Sequence, residues 1–157
     1  VLAGKHDLDA AVEFAPDWKV IPPRLIQPSL NWLPKGRRSV ARPPYSNNQI
    51  VEYSGLVENM LNKPAPPYFR YRGVTPMWDN TARRKEGAFI AVNSTPERYG
   101  NWLEEVVRQF KPKSAEEDFI FINAWNEWAE GNHLEPCQKW GCSYLEATAK
   151  ALASKKT

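Results

Sequence analysis

Within Trp125-Asn-Glu-Trp-Ala-Glu-Gly131, two glutamates stand three residues apart with an indole before each of them. Making or breaking a glycosidic bond by proton chemistry needs two carboxyl groups. One protonates the leaving oxygen and the other acts as base or nucleophile. If Glu127 to Glu130 form a helical turn, their spacing puts both side chains on one face. Mutual repulsion, with indoles excluding water, would then keep one of the two protonated near neutral pH. A solvated loop with two surface glutamates would be spelled the same way. The surroundings bring the catalytic reading level with the solvated-loop one: Trp125, Asn126 and Trp128 flank the acids, and His133 and Glu135 follow within a few residues.

Other polar groups sit where strands are expected to end. Trp78-Asp79-Asn80 repeats the pattern of an apolar run followed by an aromatic, an acid and an amide, and Glu13 closes a short alternating stretch. Trp78, Asp79 and Glu13 are therefore candidates, with Trp125, Asn126, Trp128 and Glu135, to contact a sugar. Turn capping is the competing role for Asp79. Arg83 and Arg84 suit a sugar phosphate or a nucleotide, or else form a solvated basic loop. Asn123, alone among apolar neighbours, reads as a core amide that positions the loop after it. Cys137 and Cys142 flank Gly141 and are either two free thiols or a local bridge. With His6 and His133 the only histidines, no metal is expected, and no cofactor is implied.

These side chains need a scaffold. Phe119 to Trp125 is apolar on both faces apart from Asn123, the pattern of a parallel strand buried on two sides. Leu8–Phe14 and the extended run ending at Trp78 precede it. Helices are expected from Ser54, as its cap, to about Lys63, over Tyr99–Phe110 behind a Ser94–Glu97 capping box, and over Ser143–Ala153. Residues 15–48 carry seven prolines between Pro16 and Pro44 together with Trp18, Leu25, Ile26, Leu30 and Trp32. That composition reads as a long loop packed over the site, since so many apolar groups need a surface. The alternation of strand and helix gives about three parallel β/α units within a single domain spanning 1–157. Acids and indoles at strand ends are the make-up of an α/β-barrel rim. A complete eight-fold barrel takes about 250 residues, so 157 residues would form only the C-terminal portion of one.

Composition narrows the partners. The net charge is +3, with its densest source, Lys35 to Arg42, away from the aromatics. Carboxylates beside the aromatics repel phosphate, which argues against nucleic acid. Seven tryptophans suit the flat C–H faces of sugar rings. No apolar run approaches the roughly 20 residues of a membrane span. Val1-Leu-Ala-Gly-Lys5 has no mark of a secretory leader and reads as internal sequence.

Several stretches resemble the C-terminal part of the WbsX family, a domain similar to glycoside hydrolase family 99. They are Asp9–Phe14, Arg72–Arg84, Ser94–Glu97, Phe121–Gly131, Leu134–Pro136 and Tyr144–Ala147. The resemblance implies a (β/α)8 barrel whose N-terminal half would be a partner or an absent segment. It also implies a glycan substrate and a retaining, metal-free endo-α-mannosidase-type reaction. In that reaction Glu127 deprotonates the sugar 2-hydroxyl, and Glu130 is acid to the leaving oxygen and then base to water. The same pair, with a sugar acceptor in place of water, would make a glycosyltransferase of surface-polysaccharide or lipopolysaccharide assembly. A non-catalytic sugar-binding piece is the third expectation. Where the family carries an acid and an aromatic, this chain has Cys137 and Cys142. That joint departure favours a bridge and an extracytoplasmic setting; free thiols fit the cytoplasm.

Overall fold

The computed structural model describes residues 8–25 and 48–156. The middle of the proline-rich loop, residues 26–47, lies outside them. The architecture is mixed α/β. Strand β1 (Ala11–Val12) pairs in parallel with β3 (Arg70–Val74), and β3 pairs in parallel with β6 (Ile120–Ile122). Helix α1 (Tyr53–Asn62) connects the first two of these strands, α2 (Pro96–Gln109) the second two, and α3 (Ser143–Ala153) follows the third. A second sheet branches from these connections. In it β2 (Gln49–Glu52) lies parallel to β5 (Phe89–Val92), and β4 (Trp78–Asp79) runs antiparallel to β5. A two-stranded hairpin, β7 (Asn126–Glu127) with β8 (Asn132–His133), completes the strands.

Helix α2 forms where its apolar stripe falls: Tyr99, Trp102, Leu103, Val106 and Val107 are all buried on one face. Its cap is one residue later than the expected box. Thr95, not Ser94, is the N-cap and accepts from the Arg98 N–H at 3.2 Å. Proline explains the shift, because a residue preceding proline is barred from helical geometry. Thr95 is accordingly extended, and Pro96 opens the helix. Helix α1 likewise begins at Tyr53 rather than being capped by Ser54. Tyr53 is fully buried, and its hydroxyl donates to the Thr75 carbonyl at 2.7 Å. Helices α2 and α3 approach closely at Gly100, where an added Cβ would stand 3.2 Å from that of Ala147.

Strand β6 differs from expectation. Ile120 and Ile122 are half-buried, whereas Phe119 and Phe121 are exposed. It is the last strand in the order β1-β3-β6. Among the described residues nothing covers its second face, so only the isoleucine face gains a core. Phe121 instead meets the Tyr71 ring of β3 at 5.8 Å.

Candidate functional site

The carboxyl ends of the three parallel strands lie together, and polar residues follow each one. After β6, Asn123 donates its side-chain N–H to the Ala15 carbonyl at 2.8 Å, and its backbone N–H goes to Val74 O at 2.9 Å. One residue thereby ties the end of β3 and the segment that follows β1 to the end of β6. The part of the proline-rich loop that is described packs beside them. The Trp18 ring stands edge-on to Trp78 at 5.6 Å and to Phe89 at 5.1 Å.

Beyond Asn123 the chain folds into the β7–β8 hairpin. Asn126 pairs with His133 and Glu127 with Asn132. A single 3-10 turn, Trp128–Glu130, sits at its tip and ends at Gly131 in the left-handed region (φ 53°). A Cβ at Gly131 would come within 2.7 Å of the Asp79 carbonyl oxygen, so glycine is what lets the tip seat against β4. Asn132 is fully buried and accepts from the Thr75 hydroxyl at 2.8 Å. Tyr53, Thr75 and Asn132 thus form a polar chain that fixes the hairpin to the core.

The two glutamates of the motif have unequal surroundings. Glu127 is exposed at the end of β7. Glu130 closes the 3-10 turn, and its side chain, 12% exposed, forms an ion pair with the half-exposed Arg83. Trp128 stacks on the His133 ring at 3.8 Å and 21°, and its indole N–H donates to Glu135 at 2.7 Å. His133 is buried, where a lone loop histidine would ordinarily be exposed. Its Nδ1 lies 3.1 Å from the Glu135 carbonyl oxygen. Trp125 projects outward, while its carbonyl accepts from the N–H groups of Leu134 and Glu135.

A cleft of about 1060 Å³ opens beside this hairpin, lined by Trp78, Asp79, Asn93, Trp128, His133 and Trp140 among others. A second cavity of about 400 Å³ lies across Trp78, with Phe14, Trp18, Arg83, Arg84 and Glu130 in its wall. Aromatic planes with a few polar edges suit a sugar ring. Asp79 lines the larger cleft and also caps a 3-10 turn, Asn80–Ala82, accepting from the Thr81 N–H at 3.0 Å and the Thr81 hydroxyl at 2.7 Å.

Glu13 stands apart from both cavities. Its side chain, 1% exposed, is enclosed by cations. Lys63 Nζ and Arg70 Nη2 lie 2.6 and 3.0 Å from Oε1, and Arg72 Nε and the Gly73 N–H lie 2.9 and 3.0 Å from Oε2. Burial alone would raise its pKa. The Lys63 and Gly73 hydrogen bonds and the charges of Arg72 and Lys63 outweigh burial and hold the carboxyl below its ordinary range.

Cys137 and Cys142 are both free thiols, so the bridge expected between them is not formed. The turn is closed by backbone instead: the Gly141 N–H donates to Cys137 O at 2.7 Å, and Gly141, not Cys142, pairs opposite Cys137. Among the described residues, no three His, Cys, Asp or Glu side chains gather where they could hold a metal ion. No described helix is long and apolar enough to cross a membrane.

Sequence spacing did not reveal the Arg83–Glu130 pair, the Thr75–Asn132 bond or the place of Trp140 in the cleft. Each joins residues from separate elements, and no local pattern marks such contacts.

The family model described as Glycosyltransferase WbsX matches residues 3–148. The uncharacterized protein WxcX, from two strains of Xanthomonas campestris pv. campestris, is in each case 36% identical over 145 residues. That match takes in 92% of this chain but only 19% of the relative, so the chain spans about a fifth of the length of the curated relatives it matches. No solved structure matches the chain.

Proposed function

The chain belongs to the WbsX glycosyltransferase family, and from that premise we propose that it carries the reacting end of an enzyme that transfers a glycosyl group in polysaccharide assembly. The observation that carries the reading is Glu130 in the wall of the smaller, basic cavity, which shares Trp78 with the larger aromatic cleft, and Glu127 exposed three residues before it at the end of β7. An acceptor sugar rests on Trp128 and Trp140, with the buried Trp78 behind them. Glu127, exposed and without an ion pair among the described residues, takes the proton of the acceptor hydroxyl as that oxygen bonds to the anomeric carbon. Glu130, fixed by Arg83, supplies the second carboxylate against the positive charge that develops there.

A second reading has its own support in the Asn126–Gly131 string, which resembles the motif of retaining endo-α-mannosidases. There Glu127 deprotonates the 2-hydroxyl and Glu130 protonates the leaving oxygen. Under either reading the three parallel units are the C-terminal portion of a (β/α)8 barrel. The uncovered face bearing Val12, Phe119 and Phe121 is then where further strands or helices pack.

Product analysis separates the two. Incubated with a glycosyl donor, the transferase gives a new glycoside only when an acceptor sugar is added. Release of free reducing sugar from an α-glycoside without an acceptor would replace transfer with hydrolysis.

A further inference from the structure

The smaller cavity has a charge pattern that the acid pair alone does not explain. Its charged wall residues are Arg83, Arg84 and Glu130, two guanidinium groups against one carboxylate. Arg83 uses one nitrogen, Nη2, on Glu130, which leaves most of its five donors for another acceptor. The guanidinium of Arg84 has no ion pair among the described residues. Both arginines are held in place by the backbone. The 3-10 turn before them is capped by Asp79, their N–H groups donate to the Asn80 and Thr81 carbonyls, and Asn80 is itself buried and accepts from the Phe89 N–H at 2.8 Å. Gly87, with φ 66°, completes the bend that closes the wall. Opposite stands the exposed Trp18 ring. The indole N–H of Trp78, a residue shared by both cavities, is buried without an acceptor among the described residues.

We propose that this cavity is the phosphate-binding subsite for a phosphorylated glycosyl donor, with Arg83 and Arg84 as its anion ligands and Trp18 flanking the group attached to the phosphate. Paired, forked guanidinium donors match phosphate oxygens. The proposal rests on the transfer reading and names the donor's chemical class. Transfer breaks the bond between the anomeric carbon and the phosphate oxygen, and the electron pair leaves with the phosphate. The acceptor oxygen forms the new bond, and its proton goes to Glu127 and then to solvent. Phosphate departs as a stable anion and needs no proton from the enzyme. Arg83 engages the Glu130 carboxyl in an ion pair, and a phosphate leaving group makes no demand on that carboxyl as an acid.

The test is calorimetric titration of the full chain with inorganic pyrophosphate, then glucose 1-phosphate, with methyl α-glucoside as an uncharged control. Arg84→Gln should weaken pyrophosphate binding about tenfold to a hundredfold, with methyl α-glucoside unaffected. Arg84→Lys, which keeps the charge but loses the fork, should restore part of it. Unchanged melting temperature shows that Arg84→Gln is folded. Wild-type protein that does not bind pyrophosphate, or Arg84→Gln that binds it equally well, overturns the subsite. The parent reading is judged separately by turnover in Glu127→Gln. Loss of turnover with no pyrophosphate binding removes only the subsite. Retained turnover with Arg84-dependent binding removes only the proposed role of the acid.

Discussion

Replacing Glu13 with glutamine preserves its shape and removes the one negative charge at the centre of a buried cationic cluster. The amide can still accept from the Gly73 N–H, but its NH₂ must then face Lys63 and Arg70, which lie 2.6 and 3.0 Å from Oε1. Lys63, only 5% exposed, keeps Asp17 at 2.8 Å, while Arg70 and Arg72 lose their carboxylate. Removing one partner of a buried pair costs about 3–5 kcal/mol. The retained Asp17 contact and the partial exposure of both arginines place Glu13→Gln at the lower end, about 3 kcal/mol. For a protein of this size that is a fall of about 6–12 °C in melting temperature. Urea unfolding should show a lower midpoint with an unchanged slope. The pH dependence has a definite sign. Because the folded-state pKa of Glu13 is lowered, its contribution is complete above the unfolded value of about 4.3 and is lost as pH falls through the folded value. The gap between wild type and Glu13→Gln should therefore be full at pH 7 and close in acid. A gap under about 1 kcal/mol at pH 7, or one that widens on acidification, would refute the ion-pair account. Unchanged stability with weakened glycan binding would instead make Glu13 a substrate ligand.

Other expectations follow from contacts around the site. At Gly73 an added Cβ would meet the Glu13 carbonyl oxygen of the neighbouring strand at 2.2 Å. Gly73→Ala should therefore destabilise by about 1–3 kcal/mol or more, read by thermal melting. Gly131→Ala combines a positive φ with a 2.7 Å approach to Asp79 O. It should leave the α2–α3 core folded but lower kcat, because the turn carrying Glu130 must shift. Trp128→Ala removes the half-exposed ring stacked on His133. It should cost at most about 1 kcal/mol of stability and weaken glycan binding about three- to tenfold, measured by titration with an oligosaccharide.

Much of the scaffold can be read from local pattern, because the forces behind it are local. The α2 stripe and the span of α3 follow from side-chain periodicity, and the parallel α/β order follows from alternating strand and helix signals. The shifted cap at Thr95 was also within reach, since Pro96 alone dictates it. The exposure of Phe119 and Phe121 is not legible in this way, because an apolar run does not say whether a neighbour will cover its second face. The site was only partly legible. The Glu127–Glu130 string and its indoles are contiguous and visible, but Arg83 reaches Glu130 from a distant loop. Glu13 illustrates the same limit. A glutamate at a strand end looks alike whether it meets a sugar or three cations, and those cations come from the end of α1 and from β3.

The most direct measurement is single-turnover glycosyl transfer by the wild type, Glu127→Gln and Glu130→Gln, with melting temperature and glycan affinity recorded alongside. Both variants should bind glycan and stay folded while the chemical step slows by at least about a hundredfold. Wild-type rates in either folded variant would contradict the assignment of the reaction to this pair of acids.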